Sequence, residues 1–271
     1  MPELPEVETT KRGLEPVMVG TQVVDVALHN SQLRWPVDWE QLAKTKGQTL
    51  LSIDRRSKYL LFNFDSGTWL VHLGMSGSLR LVAPDTGTRK HDHVVLSLSN
   101  NLELRYHDPR RFGSWLWAGN TPMDHPRLSN LGPEPLSSQF SGRFLHHATR
   151  SRKTPIKNLI MDAKVVVGVG NIYASESLFD AKIHPKKSSE SLTLEECANL
   201  TKAIKKILRR SIKAGGTTLK DFSGSNGEPG YFQQSLSVYN QEGESCKACC
   251  TLIQKATLGQ RSTFWCPTCQ T

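Results

Sequence analysis

Tyr59-Leu-Leu-Phe-Asn-Phe-Asp-Ser-Gly-Thr-Trp-Leu-Val-His-Leu73 is the stretch on which the fold turns. Two runs of aliphatic and aromatic residues flank Asp65-Ser66-Gly67, a hairpin-type turn, so the segment reads as antiparallel strands Tyr59–Phe64 and Thr68–Leu73. The same short-strand pattern extends both ways with period-two alternation. Gln22–His29 and Thr49–Asp54 precede it; Ser78–Val82, His93–Ser99, Leu102–His107 and Ser114–Trp117 follow. Asn100-Asn101 supplies another tight turn. Eight short strands with close turns predict a β-sandwich or barrel.

After Trp117 the pattern changes. Residues 118–138 are rich in Pro, Gly, Asn and Ser, and mark a linker. Helical periodicity follows over Phe140–Thr149, Pro155–Asp162, Ile172–Ala181 and Leu194–Ala214, the last closed by Gly215-Gly216. Thr217–Gln234 holds Gly224, Gly227, Pro229 and Gly230 and reads as a mobile, function-bearing loop. A chain of 271 residues suits more than one domain. The expected division is 1–134 for the sandwich, 135–235 for a helical domain and 236–271 for a cysteine hairpin.

Lys and Arg total 34 against 25 Asp and Glu, a net charge of +9. The excess is uneven, 17 against 15 in residues 1–150 and 17 against 10 in residues 151–271. A basic second half predicts a polyanionic partner, nucleic acid ahead of a membrane surface. No apolar run suits a membrane span or signal peptide, so a cytoplasmic chain is expected. Six cysteines are then metal ligands or core residues rather than disulfides.

Cys246-x2-Cys249 and Cys266-x2-Cys269 are the most specific signal. Two such pairs close a tetrahedral zinc site across a hairpin, and with all four positions taken the metal is structural. Cys250 leaves a competing Cys-x3-Cys choice, and Cys197 falls in a helical core pattern. Arg261 lies between the pairs near the hairpin tip, placed for a phosphate contact or simply solvated.

At the other end stands Met1-Pro-Glu-Leu-Pro-Glu-Val-Glu-Thr9. Trimming of Met1 would expose the secondary amine of Pro2, and an α-amino group, with a pKa of about 8, is partly nucleophilic at neutral pH. Such an amine forms a Schiff base with a sugar carbon, and Glu3 beside it could move the protons. The plainer reading is a helix start, with Pro5 in the first turn and Leu4, Val7 and Leu14 on one face. The two are compatible.

Asp108-Pro-Arg-Arg-Phe-Gly113 sets Phe112 beside two arginines, as a wedge entering a base stack requires, unless the ring is core. Met75 in Leu73-Gly-Met-Ser-Gly77 is a second apolar tip. Lys58 heads an apolar strand. His91-Asp-His93 lacks a third metal ligand nearby. Gly168-Val-Gly-Asn171 mimics a dinucleotide loop, but Tyr173 stands at the third glycine position; Asn171 instead suits a helix N-cap able to hold phosphate.

Taken in order, Pro2–Thr9, His72–Gly77, Lys90–His93, Asp108–Gly113, Val167–Tyr173 and the four-cysteine hairpin closely resemble the formamidopyrimidine-DNA glycosylases (Fpg) over the whole chain. The resemblance implies an α+β protein: a sandwich with an N-terminal helix, a helix-two-turns-helix domain and a zinc-finger hairpin, with DNA in the cleft between. It implies excision of 8-oxoguanine and formamidopyrimidines from duplex DNA, then β,δ-elimination. Pro2 would be the nucleophile, Glu3 its acid–base partner, Lys58 the β-elimination residue and Arg261 the δ-elimination residue. Met75, Arg110 and Phe112 would fill the vacated stack, while His91, Arg110, Arg152 and Asn171 would contact DNA. Residues 217–231 would close over the flipped base. One structural zinc on Cys246, Cys249, Cys266 and Cys269, no small-molecule cofactor and a monomer complete the expectation.

Two departures stand out. Cys250 occupies a usual glycine position, and Ala118–Pro126 carries extra length, read as a surface insertion. Two rivals remain: an endonuclease VIII-like glycosylase for oxidised pyrimidines, and a non-catalytic zinc-ribbon DNA-binding protein. The Leu4–Thr9 continuation and the Arg110-Arg111-Phe112 trio favour the first reading.

Overall fold

The computed structural model describes residues 2–216 and 236–271. The chain forms two compact units, Met1–Ser129 with Ala214–Gln233, and Asn130–Lys213 with Gln234–Thr271.

The first unit opens with α1 (Leu4–Met18), which starts with Pro5 in its first turn and a capping box between Glu3 and Glu6. Leu4, Val7, Leu14 and Met18 are buried, the one-sided spacing that seats a helix on a sheet. Eight strands follow: β1 (Val23–Leu28), β2 (Leu50–Arg56), β3 (Tyr59–Phe64), β4 (Gly67–His72), β5 (Ser78–Val82), β6 (Asp92–Leu98), β7 (Glu103–His107) and β8 (Ser114–Trp117). They pair antiparallel into two separate sheets, β1-β6-β7-β5 and β2-β3-β4-β8. Neither sheet closes on itself, so the sandwich reading holds over the barrel. One core joins both sheets to α1, built on Leu60, Phe62, Trp69, Leu96, Tyr106 and Trp115. The sequence pattern missed α2 (Trp39–Lys44), a short helix whose Asp38 cap accepts from the Gln41 amide at 3.1 Å.

The second unit contains α3 (Gly142–Thr149), α4 (Ile156–Met161), α5 (Asn171–Asp180), α6 (Leu194–Lys213) and a hairpin of β9 (Gln254–Leu258) and β10 (Arg261–Trp265). Cys197, Leu200, Ile204, Ile207, Leu208 and Ser211 line the buried face of α6, with Tyr173 Oη within 2.6 Å of Ser211 Oγ. Gly215 and Gly216 end that helix at φ +79° and +83°, a left-handed conformation that glycine adopts without strain. No described helix is long and apolar enough to cross a membrane.

Candidate functional site

Pro2 and Glu3 are buried at the start of α1, and the Glu3 amide donates to Glu6 Oε2 at 2.8 Å. Farther along the helix, Glu8 Oε2 accepts from Arg55 Nε at 2.9 Å. Arg55 in turn donates to the Ser57 carbonyl at 2.9 Å, inside the β2–β3 turn that presents Lys58. Ser57 sits at φ +57°, so the turn needs this support. Hydrogen bonds from Arg55 and Arg12 outweigh the burial that would raise the Glu8 carboxyl, leaving its pKa below the ordinary value. The Glu8–Arg55 pair therefore ties the helix bearing Pro2 and Glu3 to the turn bearing Lys58. Sequence reading passed over both residues, because their link depends on β2 lying under α1.

The loops carrying Met75 and Phe112 are locked together by Asp108. Its carboxylate, fully buried, accepts from Ser76 Oγ at 2.8 Å, the Gly113 amide at 2.8 Å and Tyr106 Oη at 3.3 Å. Gly74 and Gly113 permit the close approach. A Cβ at Gly74 would lie 2.4 Å from the Gly113 nitrogen, and one at Gly113 would lie 1.8 Å from Tyr106 Oη. The result pushes Arg110, Arg111 and Phe112 into solvent; Phe112 is 46% exposed, so it is not a core residue. The Arg110 guanidinium lies 4.9 Å from its ring centroid.

Beside these loops, His93 Nε2 donates to the Asp108 carbonyl at 2.8 Å, fixing its tautomer with hydrogen on that nitrogen. His91 packs edge-on against His93 and His107 and is partly exposed. Asp92 Oδ1 accepts from Arg80 and lies 2.9 Å from His107 Nδ1. This trio is a bonded brace. His72, at the end of β4, accepts the Gly74 amide on Nδ1 at 2.9 Å. Burial, with the charges of Lys58 and Arg34 adding to it, lowers its pKa to about 4, so the ring is neutral.

In the second unit the structure corrects one expectation. Gly170, not Asn171, is the N-cap of α5. Asn171 Nδ2 instead donates to the Ser262 carbonyl at 2.9 Å, and its Oδ1 accepts from Lys157 Nζ at 2.6 Å. Lys157 is fully buried in α4 and also donates to the Ser262 carbonyl at 3.1 Å and Thr263 Oγ1 at 2.7 Å. A helix is thereby fastened to the strand that starts at Arg261, whose own side chain is exposed. Glu176, buried in α5, accepts the amides of Ser237, Val238 and Tyr239, each at 2.9 Å, and fastens the other approach to the hairpin. The signal for Lys157 was a lysine inside an apolar helical stretch. Arg152 is exposed in the α3–α4 connection, 3.8 Å from Asp162. Residues 217–231 lie outside the described residues.

Cys246, Cys249, Cys266 and Cys269 bring their sulfurs within 4.8 Å of one another. Zn–S bonds of about 2.3 Å require tetrahedral S···S edges of about 3.8 Å. Cys246–Cys269 at 3.9 Å and Cys249–Cys266 at 3.4 Å fit that geometry. Cys250 is exposed, at φ +63°, and stands outside the cluster; Cys249 is the ligand. Cys197 is core. The four thiolates would hold one structural zinc, which closes the hairpin and leaves no position for chemistry.

Three family models match the chain: the formamidopyrimidine-DNA glycosylase N-terminal domain over residues 1–115, its H2TH domain over 131–223, and the zinc finger found in FPG and IleRS over 243–271. Formamidopyrimidine-DNA glycosylases of Serratia proteamaculans and Escherichia coli are 54% and 53% identical over 100% of both chains. The chain belongs to the formamidopyrimidine-DNA glycosylase family. As an Fpg-family chain it is a DNA glycosylase/lyase with a helix-two-turns-helix domain and a zinc finger, which confirms the fold expected from the sequence. Solved Lactococcus lactis Fpg structures agree. A complex of a point mutant of that enzyme with Fapy-dG DNA has a TM-score of 0.92 at 35% identity, covering 100% of each chain. A complex with abasic-site DNA matches at 0.92 and 36%, covering 99% of each. Wild-type Lactococcus lactis Fpg with oxidised-pyrimidine DNA matches at 0.91 and 35%, covering 100% of each.

Proposed function

We propose that this Fpg-family chain excises 8-oxoguanine and formamidopyrimidines from duplex DNA and then nicks the abasic site by β,δ-elimination. The carrying observation is the first unit's arrangement: Pro2 and Glu3 at the start of a capped helix that Glu8 and Arg55 fasten to the Lys58 turn.

In this reading, the Pro2 nitrogen attacks C1′ of the flipped nucleotide and gives up its proton as the base leaves with one. The C1′–O4′ bond then breaks, O4′ taking a proton from Glu3, and C1′ is left as an iminium on the Pro2 nitrogen. Glu3 moves protons to and from the sugar. The iminium acidifies the C2′ hydrogen; its removal, assigned to Lys58, expels the 3′ phosphate. A second elimination, assigned to Arg261, releases the 5′ phosphate. Met75, Arg110 and Phe112 fill the gap left by the base, offsetting unstacking that costs a few kcal/mol. His91, Arg152 and Asn171 contact the duplex. The same reading makes the chain a cytoplasmic monomer needing no small-molecule cofactor, and divides it at 1–134, 135–235 and 236–271.

Incubation with an 8-oxoguanine duplex and borohydride tests it. The expected product is one covalent adduct mapped to Pro2. No adduct, or full-rate cutting by protein with a blocked amine, would overturn the mechanism. The Lactococcus complex with oxidised-pyrimidine DNA gives the pyrimidine reading one observation of its own. Faster cleavage of a thymine-glycol duplex than of an 8-oxoguanine duplex would favour it.

A further inference from the structure

Two exposed guanidinium groups rest on one indole in the first unit. Arg34 Cζ lies 4.9 Å from the Trp35 ring centroid and Arg127 Cζ lies 3.9 Å from it. The arginines come from segments far apart in sequence, and each backbone is fixed. Ser31–Val37 is a tight loop, closed by amides of Leu33 and Val37 that donate to the Ser31 carbonyl, and anchored by the buried Leu33 and Val37 side chains. Buried Leu128 anchors the second segment, where the Leu128 amide donates to the His125 carbonyl at 2.8 Å. The Arg127 amide donates to His125 Nδ1 at 3.2 Å.

Like charges on one ring repel, and each exposed cation–π contact contributes only about 0.5–1 kcal/mol. Among the described residues neither arginine has an acidic partner. Among the described residues, then, no carboxylate neutralises this charge. Its place points to what would. The Arg34 amide donates to the Gly113 carbonyl at 3.1 Å, joining this loop to the one that carries Arg110 and Phe112. The fields of both arginines reach Tyr59, next to Lys58, and that of Arg34 reaches His72. A planar guanidinium held by stacking matches the two oxygens of a phosphodiester, and backbone phosphate contacts fix register without reading sequence.

We propose that Arg34, Trp35 and Arg127 form a clamp for a backbone phosphate of the bound duplex, separate from the contacts of His91, Arg110, Arg152 and Asn171. The proposal rests on the DNA-processing reading above. The clamp adds grip rather than chemistry.

Binding of the full-length zinc-loaded protein to a duplex with a tetrahydrofuran abasic analogue, titrated over a range of salt, tests it. R127Q and R34Q should each flatten the plot of log affinity against log salt, by no more than the roughly 0.9 of the one phosphate they share, and weaken binding about fivefold. W35L should weaken binding although no charge is removed, and R127K should fall between R127Q and the parent. The melting temperature should stay at the parent value in R127Q, which separates lost grip from lost folding. If the parent prefers the abasic duplex and gives the borohydride adduct while R34Q and R127Q keep its slope and affinity, the clamp alone is wrong. If the parent shows neither preference nor adduct, the functional reading falls and the clamp with it.

Discussion

Met75 and Phe112 stand on a large sandwich core, whereas Arg261 stands on a hairpin whose apolar cluster is little more than Val238, Cys246, Ile253, Phe264 and Cys266. In the first unit, position is held by backbone interlock: two loops meet where glycines allow it, and one buried carboxylate bonds both. In the second, position is held by bonds that replace packing: four sulfurs, a buried lysine and a buried glutamate. A large core tolerates the loss of a polar bond far better than a segment too small to have one.

The contrast is broken most directly at the cysteines. Cys266→Ser, or removal of metal by chelation, should unfold the hairpin and abolish incision, since structural zinc contributes on the order of 10 kcal/mol to such a segment. Near-ultraviolet dichroism from Trp69 and Trp115 should persist, and its collapse would show that the sandwich depends on the finger. Gly113→Ala should cost the sandwich about 3 kcal/mol by overpacking against Tyr106 Oη and the His72 carbonyl, read as a lowered melting temperature. Lys157→Met keeps bulk but removes the ammonium that donates to Asn171 Oδ1, the Ser262 carbonyl and Thr263 Oγ1. It should destabilise the hairpin by about 2 kcal/mol, seen as faster amide exchange in β9 and β10 with the sandwich unchanged.

His72 sharpens the comparison through pH. Its pKa is about 4 in the folded protein against 6.5 for the free side chain. Between those values the unfolded chain binds a proton that the folded one refuses, so stability falls as pH drops from 6.5 towards 4 and is flat for this group above 6.5. His72→Gln should remove that part of the slope in melting temperature against pH. The smallest stability effect belongs to Phe112→Ala, within about 0.5 kcal/mol because the ring is exposed, while single-turnover cleavage should fall. An equal loss of stability would mean the ring packs rather than wedges.

Much of this was legible in the residues because period-two and helical patterning respond to burial, which is a local and repetitive demand. Three strands, Tyr59–Phe64, Ser78–Val82 and Ser114–Trp117, fall where the pattern puts them, and the other five lie within two residues. α2 escaped because Leu42 is its one buried residue, whereas α4, equally short, shows a buried run of Ile156, Leu159 and Ile160. The cysteine spacing named four ligands, but only the cluster chose Cys249 over Cys250. Asn171 was misread as a cap because an asparagine before a helix ordinarily serves its own amides; here Lys157 and Ser262, distant in sequence, claim the side chain.

By itself, the order of residues determined eight strands, four longer helices, a zinc hairpin and a family, since each is written in spacing or in a contiguous motif. Tertiary structure alone decided that Glu8 and Arg55 join the amine to Lys58, that Asp108 unites two loops, and that Arg34 and Arg127 share Trp35. The physical reason is that such partners are brought together by strand pairing and sheet packing, and a single charged residue carries no periodic signal of the partner it will meet.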